Sequence, residues 1–166
     1  SSGGTVDFDS TIDQGQALGI KSGSGGVGVT GKIGAGTALS TLTINASNGD
    51  SSTGKITLTE DIGDDTAAGV TGITKIGNSS TSEIQLGGTL YRTGGSGNAA
   101  TTYTASSTAA DGDGSFDMVA GADITFQTTD AAITFDTGKI EIGQDTDITI
   151  TSGSGAIAVH GIVGHS

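Results

Sequence analysis

The run Asp111-Gly112-Asp113-Gly114-Ser115-Phe116-Asp117 sets side-chain oxygens at alternate positions in a glycine-rich loop. Hard cations are held by several carboxylate, hydroxyl and carbonyl oxygens in such flexible loops. Asp111, Asp113, Ser115 and Asp117 are therefore the candidate metal ligands, and calcium is the one cofactor these residues offer. Gly63-Asp64-Asp65-Thr66 and Gly143-Gln144-Asp145-Thr146-Asp147 are poorer versions of the same arrangement. Asp and Gly are also ordinary turn formers, so a solvated corner accounts for each of these runs equally well.

Other chemistry is sparse. His160 and His165 flank Gly161-Ile162-Val163-Gly164, a spacing that fits no common metal site and has no acidic cluster beside it. A nucleophilic serine needs a histidine and an orienting acid, and both histidines lie at one end of the chain. Paired carboxylates serve glycosidases, but gripping a sugar takes aromatic and basic side chains. For such a cleft the chain offers only Tyr91, Arg92 and Tyr103. No residue is assigned a catalytic role, and the chain is expected not to be an enzyme. The glycine run Gly94-Gly95-Ser96-Gly97-Asn98 is followed by Ala99, where a calcium-binding nonapeptide needs aspartate. Asn45-Ala46-Ser47 and Asn78-Ser79-Ser80 match the glycosylation sequon. Thr57-x-Thr59 and Thr149-x-Thr151 are read as strand formers on a half-exposed surface, because Asp7, Gly28, Thr57 and Gln85 do not keep threonine in the corresponding slot.

Charge narrows the partners. Eighteen acidic residues face six basic ones, giving −12, and the lysines are scattered around the single Arg92. Without a basic patch to neutralise phosphates, nucleic acid is not an expected partner. Cysteine is absent, which removes disulfides and thiol chemistry. No apolar run approaches the length of a membrane-spanning helix. Ser1-Ser2-Gly3-Gly4 has no signal-peptide character, so a processed product or an excised segment is expected.

The elements that must carry these residues show themselves as repeats. Phe116-x-Met118 returns as Ile140-x-Ile142, Asp123-Ile-Thr-Phe126 as Asp147-Ile-Thr-Ile150, and Ala132-Ile-Thr-Phe135 as Ala156-Ile-Ala-Val159, each 24 residues on. Every pair alternates apolar and polar residues, as a short strand with one buried face does. An earlier set reads Val6-x-Phe8-x3-Ile12, Val27-x-Val29-x3-Ile33, Ile56-x-Leu58-x3-Ile62 and Ile84-x-Leu86-x3-Leu90. Ala17, Ala38 and Ala67 each follow five residues after the third apolar position. Polar insertions such as 45–52 and 77–82 fall between apolar pairs, where a stacked repeat accepts loops. The expected architecture is all-β, a β-solenoid of short strands with about 24 residues per coil. Its expected parts are N-terminal repeats over 1–90, an irregular loop-rich coil over 91–115 and C-terminal repeats over 116–166, in one continuous domain.

Three phrases carry a family likeness: the segment Val6 to Leu18, Thr37-Ala-Leu-Ser-Thr-Leu-Thr43 and Gly121-Ala-Asp-Ile-Thr-Phe126. They resemble the β-strand repeats of large bacterial surface proteins, similar in style to filamentous haemagglutinin-like adhesins. The resemblance implies a secreted or surface-displayed fibrous segment in a right-handed parallel β-helix, with structural or adhesive duty and a surface glycan or receptor as its partner. It brings no catalytic residue with it. The uneven 91–115 region leaves a β-sandwich, pilin-like subunit polymerising by strand exchange as the alternative fold. A carbohydrate-binding or polysaccharide-cleaving β-helix module is the alternative function. Neither terminus carries the polar capping repeat that a free stack needs, so end-to-end association with like copies, covalently in a longer polypeptide or non-covalently along a filament, outside the cell, is the expected behaviour.

Overall fold

Short strands follow one another around a central apolar core and pair only with strands of neighbouring passes. The computed structural model describes residues 3–47, 49–95, 99–107 and 115–165, and among them it holds strands, bridges and turns but no helix. Every strand pair is parallel.

Three ladders run the length of the stack. The first joins β1 (Val6–Phe8), β3 (Val27–Val29), β5 (Ile56–Leu58), β7 (Ile84–Leu86) and β10 (Phe116–Met118) to the second half of β12 (Ile133–Ile142). The second begins as single bridges linking Ile12, Ile33, Ile62 and Tyr91. It widens into β8 (Leu90–Arg92), β11 (Ile124–Gln127) and β13 (Ile148–Thr151). The third joins β2 (Ala17–Ile20), β4 (Thr41–Ile44), β6 (Thr74–Ile76) and β9 (Thr101–Thr104) to the first half of β12, and then to β14 (Ile157–His165). Because β12 and β14 round a corner without a break, the first and third ladders merge there into one curled sheet.

The alternating pattern read from sequence decides which face is buried. Val27, Val29, Ile56, Leu58, Ile84, Leu86, Phe116 and Met118 point inward from the first ladder, while the residue between each pair stays half-exposed. A pass needs few apolar residues, since its neighbours cover it above and below. In the middle of the stack five aromatics meet. Tyr91 stacks on Phe126 at 5.1 Å between centroids, Tyr103 stacks on Phe135 at 5.2 Å, and Phe126 and Phe135 meet edge to face at 5.0 Å. Backbones also approach closely at corners. Gly34 (φ 70) lies so near Gly69 that a Cβ there would fall 2.0 Å from the Gly69 carbonyl oxygen, so only glycine fits.

The 24-residue register holds at all three C-terminal pairs: Phe116 with Ile140, Ile124 with Ile148 and Ile133 with Ile157. Elsewhere the step varies, from 21 between Val6 and Val27 to 32 between Ile84 and Phe116. Two expected equivalences shift. The partner of Ile62 is Tyr91 rather than Leu90, and Ala17 pairs with Thr41 rather than Ala38. Within the stretch expected to be irregular, Thr101–Thr104 is a regular strand between β6 and β12, and Tyr103 is fully buried.

Candidate functional site

The expected calcium ligands divide. Asp111 and Asp113 lie outside the described residues. Ser115 is buried, and its Oγ accepts the Gly138 and Lys139 amides at 3.0 and 3.2 Å while donating to the Lys139 carbonyl. Asp117 sits on the outer face of β10, where the Gln85 amide reaches its Oδ2 at 3.4 Å. Ser115 thus fastens one pass to the next, and Asp117 belongs to a polar row on the surface. In the poorer run, the Asp64 carboxylate closes a turn on the Thr66 hydroxyl and on the Thr66 and Ala67 amides, each at 2.7 Å. Among the described residues no group of three or more His, Asp or Glu gathers as a metal site.

The sugar-cleft residues do not line a cleft. Tyr91 and Tyr103 are core residues, and burial pushes both phenols above their ordinary range. Arg92 donates to the Asp65 and Asp64 carbonyls at 2.7 and 3.3 Å, holding a corner. His160 pairs in register with Asp136, with Nδ1 3.7 Å from the carboxylate, and both side chains are exposed.

Sequence reasoning missed what many acidic residues do here. The Asp13 carboxylate accepts the Gly36 amide at 2.9 Å, and that of Asp61 accepts the Thr89 and Leu90 amides at 2.8 and 2.9 Å. The Asp123 carboxylate takes the Asp147 amide at 3.0 Å, and that of Asp130 takes the Ser154 amide at 2.8 Å. Each carboxylate therefore clamps a backbone amide on the following pass. At Asp61 burial pushes the carboxyl upward, but bonds from the Lys32 ammonium and the two amides outweigh it and hold it below the usual range. The common 24-residue offset of Asp123 to Asp147 and Asp130 to Ser154 was the available signal. Lysines join passes as well: Lys32 to Asp61 at 2.9 Å and Lys55 to Glu83 at 2.8 Å.

A polar corner completes the internal fastening. Asn45 is fully buried in a left-handed conformation (φ 48), and its Oδ1 accepts the Ser22 amide at 2.9 Å while its Nδ2 donates to Ser22 Oγ. One pass later, Asn78 Nδ2 donates to the Asn45 and Ser52 carbonyls at 2.7 and 3.1 Å.

The surface that stands apart is the β13–β14 end. Among the described residues β13 pairs only with β11, and β14 only with β12, so each shows an open hydrogen-bonding edge. Behind those edges lies an apolar hollow of about 220 Å³ lined by Met118, Phe135, Ile140, Ile148, Ile150 and Val159. Ile157, Val159, Ile162 and Val163 are exposed beside it. Interior residues at the same ladder positions are covered by the next pass. No family model, curated protein or solved structure matches this chain.

Proposed function

We propose that this chain is a structural and adhesive repeat segment of a fibre or filament displayed at the cell surface, in which like copies associate end to end. In this reading the stack is a right-handed β-solenoid, with about 24 residues per coil in its C-terminal part. The observation that carries the proposal is the uncovered β13–β14 end, where core positions stand open beside unpaired strand edges. Exposed edges of this kind pair with another chain unless something blocks them.

Surface chemistry supports the same reading. Several basic side chains are spent on joining passes, so the outer surface stays anionic and polar, which keeps a long β-stack soluble. A glycan or receptor on the target surface is the partner an adhesive fibre would meet. The polysaccharide reading loses its support, since Tyr91 and Tyr103 are buried and Arg92 is engaged at a corner.

Sedimentation at micromolar concentration, with negative-stain images of the same sample, tests the proposal. Rods that lengthen with concentration are expected. Single short particles at every concentration, with hydrolysis of a polysaccharide, would overturn it.

A further inference from the structure

The register of the three ladders fixes what the open end would need next. On the first ladder Val6, Val27, Ile56, Ile84, Phe116, Ile140 and Val163 succeed one another. On the second the series ends Phe126 and Ile150, and on the third Ile133 and Ile157. The coil that β14 begins at Val163 would next need strands over Ile150 and Ile157. The first coil of the chain has those three strands in that order: Val6–Phe8, Ile12 and Leu18–Ile20.

Resting on the end-to-end reading above, we propose that a second copy docks its first coil onto the β13–β14 end by strand exchange. Its β1 takes the edge of β12 that Ile162–His165 holds in the single molecule. Its Ile12 then covers Ile150, and its Leu18–Ile20 cover Ile157–Val159.

The resident segment is poorly suited to that edge. Its pairing with β12 slips between Asp136 and Lys139, and Gly161 turns the corner at φ 142. Ile162 and Val163 are 73% and 54% exposed. At the ladder position held in earlier passes by Phe8, Val29, Leu58, Leu86, Met118 and Ile142, the resident strand carries the polar residue His165. The incoming β1 restores Phe8 there, an apolar residue whose burial is favourable.

The exchange places Thr11 of one copy beside Thr149 of the other, both exposed on the second ladder. Paired residues on parallel strands sit about 4.8 Å apart, within disulfide reach, and the chain has no cysteine of its own. Full-length Thr11→Cys and Thr149→Cys proteins, mixed and oxidised, are expected to cross-link to each other and not to themselves. If the resident strand holds its site about nine-tenths of the time, deleting residues 161–166 lowers the concentration for half association about tenfold. His165→Phe strengthens the resident strand and moves that concentration upward. Multimers lacking the mixed cross-link, cross-links within a single-variant sample, or weaker association after the deletion each overturn the exchange while leaving end-to-end association standing. A chain that stays monomeric at every concentration overturns both.

Discussion

The Asp123 carboxylate accepts the backbone amide of Asp147, 3.0 Å away and 24 residues further along the chain. An exposed turn residue thereby acts as a clamp between passes. Asp123→Ala is expected to lower stability by about 0.5–1.5 kcal/mol, the usual net contribution of a hydrogen bond. Asp123→Asn keeps an acceptor oxygen and should recover most of that loss. Denaturant midpoints of the two variants check this; equal loss in both would assign the effect to charge instead.

Position along the stack sets the cost of a buried charge. Ile124 is fully buried between passes, whereas Ile148 at the same ladder position is only half-buried on the last one. Ile124→Asp leaves an unpaired carboxylate in the core and should cost several kcal/mol. Ile148→Asp should fold with a smaller penalty and lose end-to-end association. Thermal melts alongside sedimentation separate the two effects.

The two tyrosines should respond in opposite directions to loss of their hydroxyls. Tyr91 Oη accepts the buried Gly88 amide at 2.9 Å, so Tyr91→Phe strands a donor and costs about 1–3 kcal/mol. Tyr103 Oη is buried with no partner among the described residues, so Tyr103→Phe removes an unsatisfied group and should be neutral or stabilising. Paired chemical denaturation curves decide it, and a shared sign would contradict the assignment.

Acid should loosen the clamps. The carboxyls of Asp61 and Asp130 lie below their ordinary range in the folded chain, the latter through the Ser154 amide. A depressed folded pKa contributes stability that is present above the unfolded value of about 4 and lost as pH falls through the folded one. The melting temperature should hold steady down to about pH 5 and fall below about pH 4. Asp61→Asn should flatten part of that fall.

The readable parts of the fold were those where spacing stayed constant. Ile124 with Ile148 and Ile133 with Ile157 could be paired from sequence, because no insertion interrupts the passes between them. Ile12, Ile33 and Ile62 were aligned although an insertion makes their steps unequal, because each follows its first-ladder strand at the same distance. Ala17 was mismatched because the corner before the third ladder varies in length, and a strand there is anchored by Leu18 and Leu42 instead. Tyr103 sat in a polar stretch without a local repeat, and its aromatic neighbours Phe116, Phe126 and Phe135 all come from later passes of the chain. The carboxylate clamps were hidden for a related reason. Aspartate in a turn reads alike whether it closes its own loop, as Asp64 does, or reaches the following pass, as Asp61 does.

The buried corner also bears on the chain's history after synthesis. In the folded stack the side-chain nitrogens of Asn45 and Asn78, the two sequon residues, are committed to Ser22 and to the Asn45 and Ser52 carbonyls. A sugar joined to the Asn45 nitrogen would find no room in a fully buried site. N-linked glycan at Asn45 is therefore a marker of chains modified before this corner closed, and glycosylated and native molecules should be separable populations rather than one decorated form.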